Sequence, residues 1–423
     1  MGIDSSRTAF ERTRRSVGGG VSSGLRATMR PVPLFVERGH GAHLWDLDGD
    51  RYLDYVMAWG PLVHGHSHPH VIDAVARVAT SMQVVGMGHR LEYEAAEAVL
   101  ESVPGAQRLV WTNTGTEAVQ VALRFARAAT GRHRIVKFAK AYHGWHDSVY
   151  ASMSAHDTGE SPVPAALGQS PNAHADLIIS RFNDTAAVTE LLAHAEERRI
   201  AAVLVDPIMS NAGVLAPEPG FLETLRSLCD RHGVVLIFDE VITGFRIARG
   251  GAAERFDVRP DLSVFGKAIA GGFTQSAVAG RADIIDLVDH GLTHAGTFNG
   301  NPIALAAVQA AMELSAAPGV FEKLEDLGDA FEQALTDVLV STGAPGSLRR
   351  VGSLLQFVPR DQATSLHGTD GVWAEIAAGM LESGVVFMPS GKIFLSTAHT
   401  LADIQETASR LERVLQQVCA RSA

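Results

Sequence analysis

Between about residue 70 and residue 310, short apolar runs alternate with helical patterns, and no other feature limits the possible fold as strongly. The runs are RLVWT (108–112), RIVKF (134–138), AAVLVDP (201–207), VVLIFDE (234–240) and LSVFG (262–266). Each is short, apolar and rich in β-branched residues, which reads as a strand buried on both faces. Between them lie stretches such as GFLETLRSLCDRHG, apolar at helical spacing. Strands that follow one another through helices form a parallel sheet, because a parallel connection needs a long crossover, usually a helix, and that helix then covers a face of the sheet. The expected fold class is therefore α/β.

The flanks read differently. Residues 41–56, GAHLWDLDGDRYLDYV, have the alternation of a β-hairpin around Asp48-Gly49. The tail carries a long helical segment, VFEKLEDLGDAFEQALTDVL, and the strand-like pieces SLLQFV and KIFLST. This organisation predicts an N-terminal segment over 1–65, a large domain over 66–314 and a smaller C-terminal α+β domain over 315–423. Residues 151–175 hold three prolines and two glycines with no apolar period. A loop that long in a compact domain is expected to be a lid or another functional segment.

Charge and cysteine usage exclude several classes. The net charge of −11 speaks against nucleic acid and anionic membranes, both of which need a basic face. Two cysteines, Cys229 and Cys419, are too few for a disulfide framework or a thiolate zinc site. No apolar run approaches the roughly 20 residues that span a bilayer. Gly2 fits a short myristoylation pattern that recurs by chance, and the early arginine pair lacks the apolar segment of a secretion signal. The expected location is cytoplasmic. His64, His66, His68 and His70 alternate in VHGHSHPHV, as metal ligands on an extended strand would, but GHSHP also reads as a turn opening a helix, and no metal site is expected.

Ligands of open parallel sheets sit at the carboxyl ends of the strands, and three features converge there. NTGTEA follows RLVWT and opens a helix, so the N–H groups of Gly115 and Thr116 and the threonine hydroxyl form a phosphate site. Thr114 or Thr116 equally suits a plain helix N-cap. Asp239 ends the run VVLIFD, where an unpaired carboxylate would be costly unless a cation meets it. Glu240, beside it, points the other way along the strand. Lys267 stands just past LSVFG, before glycines that permit close approach. A phosphate cradle, a strand-end acid and a strand-end lysine are what pyridoxal phosphate requires: an amine for the Schiff base and a carboxylate opposite the pyridinium nitrogen.

With those residues in place, NTGTEA, YHGWHDS, FDEVITGFR, FGKAIAGG, GTFNGNP and STAHTLADI, in this order, resemble the class III, fold-type-I pyridoxal phosphate aminotransferases, nearest to the glutamate-1-semialdehyde aminomutase branch. The resemblance runs over nearly the whole chain. It implies a mostly parallel seven-stranded sheet flanked by helices, with a smaller α+β domain. It also implies that Lys267 carries the cofactor, that Asp239 pairs with the ring nitrogen, and that Val241 and Tyr142 cover the two ring faces. Gly115 and Thr116 would hold the phosphate and Asn211 the phenolic oxygen. Thr297 would reach the phosphate of the neighbouring subunit's cofactor, making a homodimer with shared active sites. Ser23 and Arg26 would hold a substrate carboxylate, with Trp59 lining the same pocket, and residues 151–175 would fall on the gating loop.

The chain also departs from that branch. Phe273-Thr274-Gln275 replaces a glycine-proline turn, Asp206-Pro207 replaces Glu-Pro, and Lys392 stands in a shortened segment before AHT. These changes leave the cofactor chemistry intact and alter the substrate side. They favour an aminotransferase of specialised metabolism that moves an amino group from an amino acid, L-glutamate first, to an aldehyde or ketone. The negative charge fits a cationic acceptor, and the resemblance, which extends to enzymes that aminate oxo-sugars of aminoglycosides, implies the 6'-oxo group of an aminoglycoside-type amino sugar and hence antibiotic biosynthesis. The alternatives are a glutamate-1-semialdehyde-type aminomutase and a β-amino acid aminotransferase.

Overall fold

The computed structural model describes residues 2–153, 160–344, 346–359 and 372–422. Residues 154–159 of the expected gating loop lie outside the described residues. The chain forms two compact units, Met1–His68 with Glu322–Ala423, and Pro69–Phe321.

In chain order the strands are β1 (Val36–His40), β2 (His43–Asp46), β3 (Arg51–Asp54), β4 (Arg108–Thr112), β5 (Arg134–Phe138), β6 (Leu177–Ser180), β7 (Ile200–Val205), β8 (Val235–Asp239), β9 (Leu262–Phe265), β10 (Ser276–Gly280), β11 (Gly346–Val351), β12 (Leu354–Pro359), β13 (Val385–Val386) and β14 (Lys392–Phe394).

The unit Pro69–Phe321 is built on a seven-stranded sheet of order β4-β10-β9-β8-β7-β5-β6. Strands β6, β5, β7, β8 and β9 pair in parallel, and β10 runs antiparallel to both neighbours. This is the mostly parallel sheet of a fold-type-I enzyme. All residues of β7, β8, β9 and β10 are buried. One face packs Val136, Phe138, Val203 and Phe238 against Phe221, Leu222 and Leu225 of the helix Phe221–His232. The other packs Ile135, Ile179, Leu204 and Ile237 against Ala118, Ala122 and Leu123 of the helix Gly115–Thr130. Each fully buried Leu, Ile or Phe on these faces stabilises the fold by about 1.5–3 kcal/mol.

The other unit contains two smaller sheets, of order β1-β2-β3-β13 and β11-β12-β14. Strands β2 and β3 form the hairpin read in the sequence, with Leu44 opposite Tyr52 and Gly49 left-handed in its turn. Its core joins Leu53, Tyr55, Phe331, Leu355, Phe357 and Trp373. Among the described residues no single helix is long and apolar enough to cross a membrane.

The histidines of VHGHSHPHV do not lie on one extended strand. A helix begins at Pro69, His66 bonds Asp54 at 2.8 Å, and His70 bonds Glu313 at 2.6 Å.

Candidate active site

Strands β4, β5, β7, β8 and β9 end around one cavity of about 240 Å³ in the unit Pro69–Phe321. Gly115, Thr116, Tyr142, Asn211, Asp239, Val241 and Lys267 all line it, with Asp206, Phe273, Thr274 and Gln275. Residues drawn from six separate stretches of sequence thus meet in one place.

The floor is set by the start of the helix Gly115–Thr130. Thr114 is its N-cap: the hydroxyl accepts from Glu117 N, and the Glu117 carboxylate accepts from Thr114 N at 3.3 Å and from Asn113 N at 2.8 Å. This capping box leaves the N–H groups of Gly115 and Thr116, in the first turn, free of intrahelical partners. A Cβ on Gly115 would meet Val241 Cγ2 at 3.1 Å, and one on Gly144 would meet Thr116 Oγ1 at 2.6 Å. Glycine at both positions keeps the cradle open.

Asp239 is 6 % exposed, and the geometry around it answers why a buried strand ends on a carboxylate. Its Oδ2 accepts from His143 Nδ1 at 2.7 Å and its Oδ1 from Val241 N at 3.1 Å. Burial lowers the pKa of His143, against the raising effect of Asp239. The neutral ring donates through Nδ1 and orients the Asp239 side chain. Nothing local in AYHG marks His143, because its partner Asp239 lies 96 residues away in sequence.

Tyr142 stands edge-on to Tyr150, with ring centroids 6.0 Å apart, and burial raises its pKa to about 12. Lys267 is held in the left-handed region, φ 46°, a strained conformation for a residue with a side chain. Burial lowers the pKa of its amine, while Asp239 and then Asp206 act in the opposite direction. Glu240 faces away from the cavity and accepts from Thr243 Oγ1 and from the N–H groups of Ala252 and Ala253, so its role is structural.

The remaining expected residues lie elsewhere. Thr297 is exposed in a loop tied down by Asn299 Oδ1 to Asn113 Nδ2 at 2.8 Å and by His294 Nε2 to the Trp111 carbonyl at 2.7 Å. It does not line its own chain's cavity. In the other unit, Arg26 and Trp59 line a pocket of about 590 Å³, and of the serines in SSGLR Ser22 lines it and Ser23 does not. The Arg26 guanidinium sits 5.8 Å from the Trp59 ring centroid. Met57, Ala58 and Trp59 are all left-handed, which costs about 1–2 kcal/mol per residue. Asp54 offsets that strain by accepting from Val56 N at 2.8 Å and Met57 N at 3.1 Å.

The aminotransferase class-III family profile matches residues 25–418 of the chain. The chain belongs to the class-III aminotransferase family. A glutamate-1-semialdehyde 2,1-aminomutase of Pelotomaculum thermopropionicum is 41 % identical over 96 % of both chains. A transaminase solved with PLP bound is 30 % identical, with a TM-score of 0.92 over 100 % of this chain and 99 % of the other. A β-phenylalanine aminotransferase from Variovorax paradoxus is 30 % identical, with a TM-score of 0.85 over 99 % of this chain and 94 % of the other. Like its family, the chain is a pyridoxal-phosphate-dependent enzyme acting on small molecules. The residues present fit that cofactor: a helix N-terminus kept open by glycines, a buried oriented carboxylate and a lysine of lowered pKa share one cavity. When bound, pyridoxal phosphate supplies the electron sink that makes the substrate carbon acidic.

Proposed function

We propose that the chain exchanges the amino and oxo groups of a small amino-oxo carboxylate of the glutamate-1-semialdehyde type. The amine would pass from C2 to C1 without net exchange with another molecule. The observation that carries this reading is the whole-length likeness to the P. thermopropionicum enzyme that bears this name. The relatives speak for this isomerase reading over the amino-sugar acceptor expected from net charge. In this proposal Lys267 Nζ holds the cofactor and then moves a proton at the substrate carbon, with burial lowering the pKa of its amine. Asp239, fixed by His143, keeps the ring nitrogen protonated. Thr116 and the N–H groups of the first helical turn bind the phosphate, Asn211 serves the phenolic oxygen, and Tyr142 and Val241 cover the ring. Arg26, with Trp59 beside it and Ser22 or Ser23 next to it, takes the substrate carboxylate, which its planar fork suits.

The working form in this proposal is a homodimer in which Thr297 serves the partner's cofactor. Its exposure supports this, as do the neighbouring apolar side chains of Phe298, Met87 and Tyr93, exposed at 58 %, 81 % and 56 %.

A second reading, intermolecular aminotransfer from L-glutamate to another carbonyl compound, is favoured by Phe273, Thr274 and Gln275 on the cavity wall, where the sequence departs from the aminomutase branch. One experiment separates the two. Purified yellow enzyme is given glutamate-1-semialdehyde with no other amine or oxo-acid. Formation of the 5-amino-4-oxo isomer supports the first reading. No isomer, together with stoichiometric 2-oxoglutarate and bleaching on L-glutamate alone, refutes it in favour of the second.

A further inference from the structure

Strand β5 contains a residue that its surroundings do not predict. Lys137 lies on the face of the strand that also carries Ile135, and it is 0 % exposed. Its neighbours across the sheet are Ile179 and Leu204. Its Nζ donates to the carbonyls of Ala141 at 2.8 Å, Val149 at 3.0 Å and Ala151 at 2.8 Å. An ammonium group has three donors, so each carbonyl receives one, and a neutral amine would leave a carbonyl unserved.

Burying a lysine in an apolar layer is costly, and a well-packed methionine there would be easier to accommodate. What the lysine achieves is geometric. The three carbonyls belong to residues 141–151, the segment that leaves the end of β5 and carries Tyr142 and His143. The bond to Ala141 fixes the peptide immediately before Tyr142. The bonds to Val149 and Ala151 fix the far end of the same segment, where Ala151 makes a bridge to Pro164. With both ends tied to one atom inside the sheet, the tyrosine ring and the imidazole at Asp239 have little freedom to move.

We propose that Lys137 is a positioning residue for the cofactor. It acts through the 141–151 segment, holding Tyr142 against the cavity and His143 Nδ1 on Asp239, and touches neither substrate nor cofactor. This rests on the reading of Tyr142 and His143 as cofactor-facing groups, and not on which amine transfer the enzyme performs.

The test needs no substrate. Holoenzyme carrying Lys137→Met is compared with wild type by cofactor titration and by visible circular dichroism, whose band reports the asymmetric surroundings of the bound ring. The expected result is a cofactor Kd raised at least tenfold and a visible band reduced by half or more. The loss in the double variant Lys137→Met/Tyr142→Ala should fall short of the sum of the two single losses, because part of the lysine's effect passes through Tyr142. Should Lys137→Met not fold, Lys137→Gln, which keeps two N–H donors, is read on the same scales. Unchanged Kd and band in the lysine variant overturn the proposal whatever its melting temperature, and so do losses that add. A Tyr142→Ala protein that binds cofactor as wild type overturns the route through Tyr142. Failure to isomerise glutamate-1-semialdehyde bears only on the proposed reaction.

Discussion

Replacing Asp239 by asparagine is the sharpest test of the cavity. The side chain keeps its shape, and Oδ1 still accepts from Val241 N, 3.1 Å away in the wild type. The other oxygen becomes an NH₂ group facing His143 Nδ1, which stood 2.7 Å from it as a donor. Two donors now meet unless the imidazole moves its proton to Nε2, an atom that is buried and has no hydrogen-bond partner among the described residues in the wild type. Loss of one hydrogen bond to a charged group costs about 1.5–3 kcal/mol. Loss of the anion withdraws a similar amount of support from a protonated ring nitrogen. At about 1.4 kcal/mol per decade, the cofactor Kd should rise about 10- to 150-fold. Turnover should fall further, by about 10²–10³, because the carboxylate matters most when charge develops on the ring. Titration of apoenzyme with pyridoxal phosphate gives the first number and single-substrate turnover the second. A variant with Kd within twofold and turnover within threefold of wild type would refute the assignment of Asp239, and with it the electrostatic reading of the cavity.

Other substitutions test neighbouring parts. Lys267→Ala should abolish turnover while leaving weak cofactor binding through the phosphate cradle, and full turnover would sink the role given to that amine. Gly144→Ala puts a methyl 2.6 Å from Thr116 Oγ1 at a left-handed residue, φ 89°, so cofactor affinity should fall about tenfold and stability by about 1–3 kcal/mol, read by titration and by urea midpoint. Glu240 is fully buried, and desolvation raises its pKa to about 7. A carboxyl whose folded pKa lies above its unfolded value contributes stability at low pH that is lost as pH rises toward the folded pKa. Glu240→Gln should therefore remove a fall of about 1–3 kcal/mol between pH 4.5 and 7 in chemical denaturation, and an unchanged slope would show that the residue does not titrate there.

Much of the large sheet was legible because its inner strands are apolar on both faces. VVLIFD, AAVLV and LSVF can hardly be anything but buried strands, and they became β8, β7 and β9. Strands β6 and β10 were not legible. LIIS has only four residues and follows a long irregular stretch, and SAVAG is a run of small residues without a strong apolar signal. Its smallness has a tertiary cause, since a Cβ on Gly280 would lie 2.2 Å from the Asp261 carbonyl oxygen. The cavity residues named by motif, from Gly115 to Lys267, share one space because each follows a strand end, a position that sequence can mark. His143 and Lys137 act through partners distant in sequence, on Asp239 and on three carbonyls, and no local pattern encodes such pairings.

Strand β4 lies at an edge of the sheet and pairs with β10 alone, a strand made long after it. While a ribosome is still short of Ser276, Arg108–Thr112 has no strand to join, although β5 to β9 can already assemble. The turn at Asn113–Thr114, which opens the phosphate cradle, is then unanchored on its strand side, and Gln275 has yet to reach the Thr112 carbonyl, 2.9 Å away in the finished fold. Chains stalled before this point should collapse into a partial sheet that holds no cofactor. Pyridoxal phosphate would thus be captured last in biogenesis, by chains whose sheet is complete, and the yellow colour of a preparation would measure how many molecules finished folding.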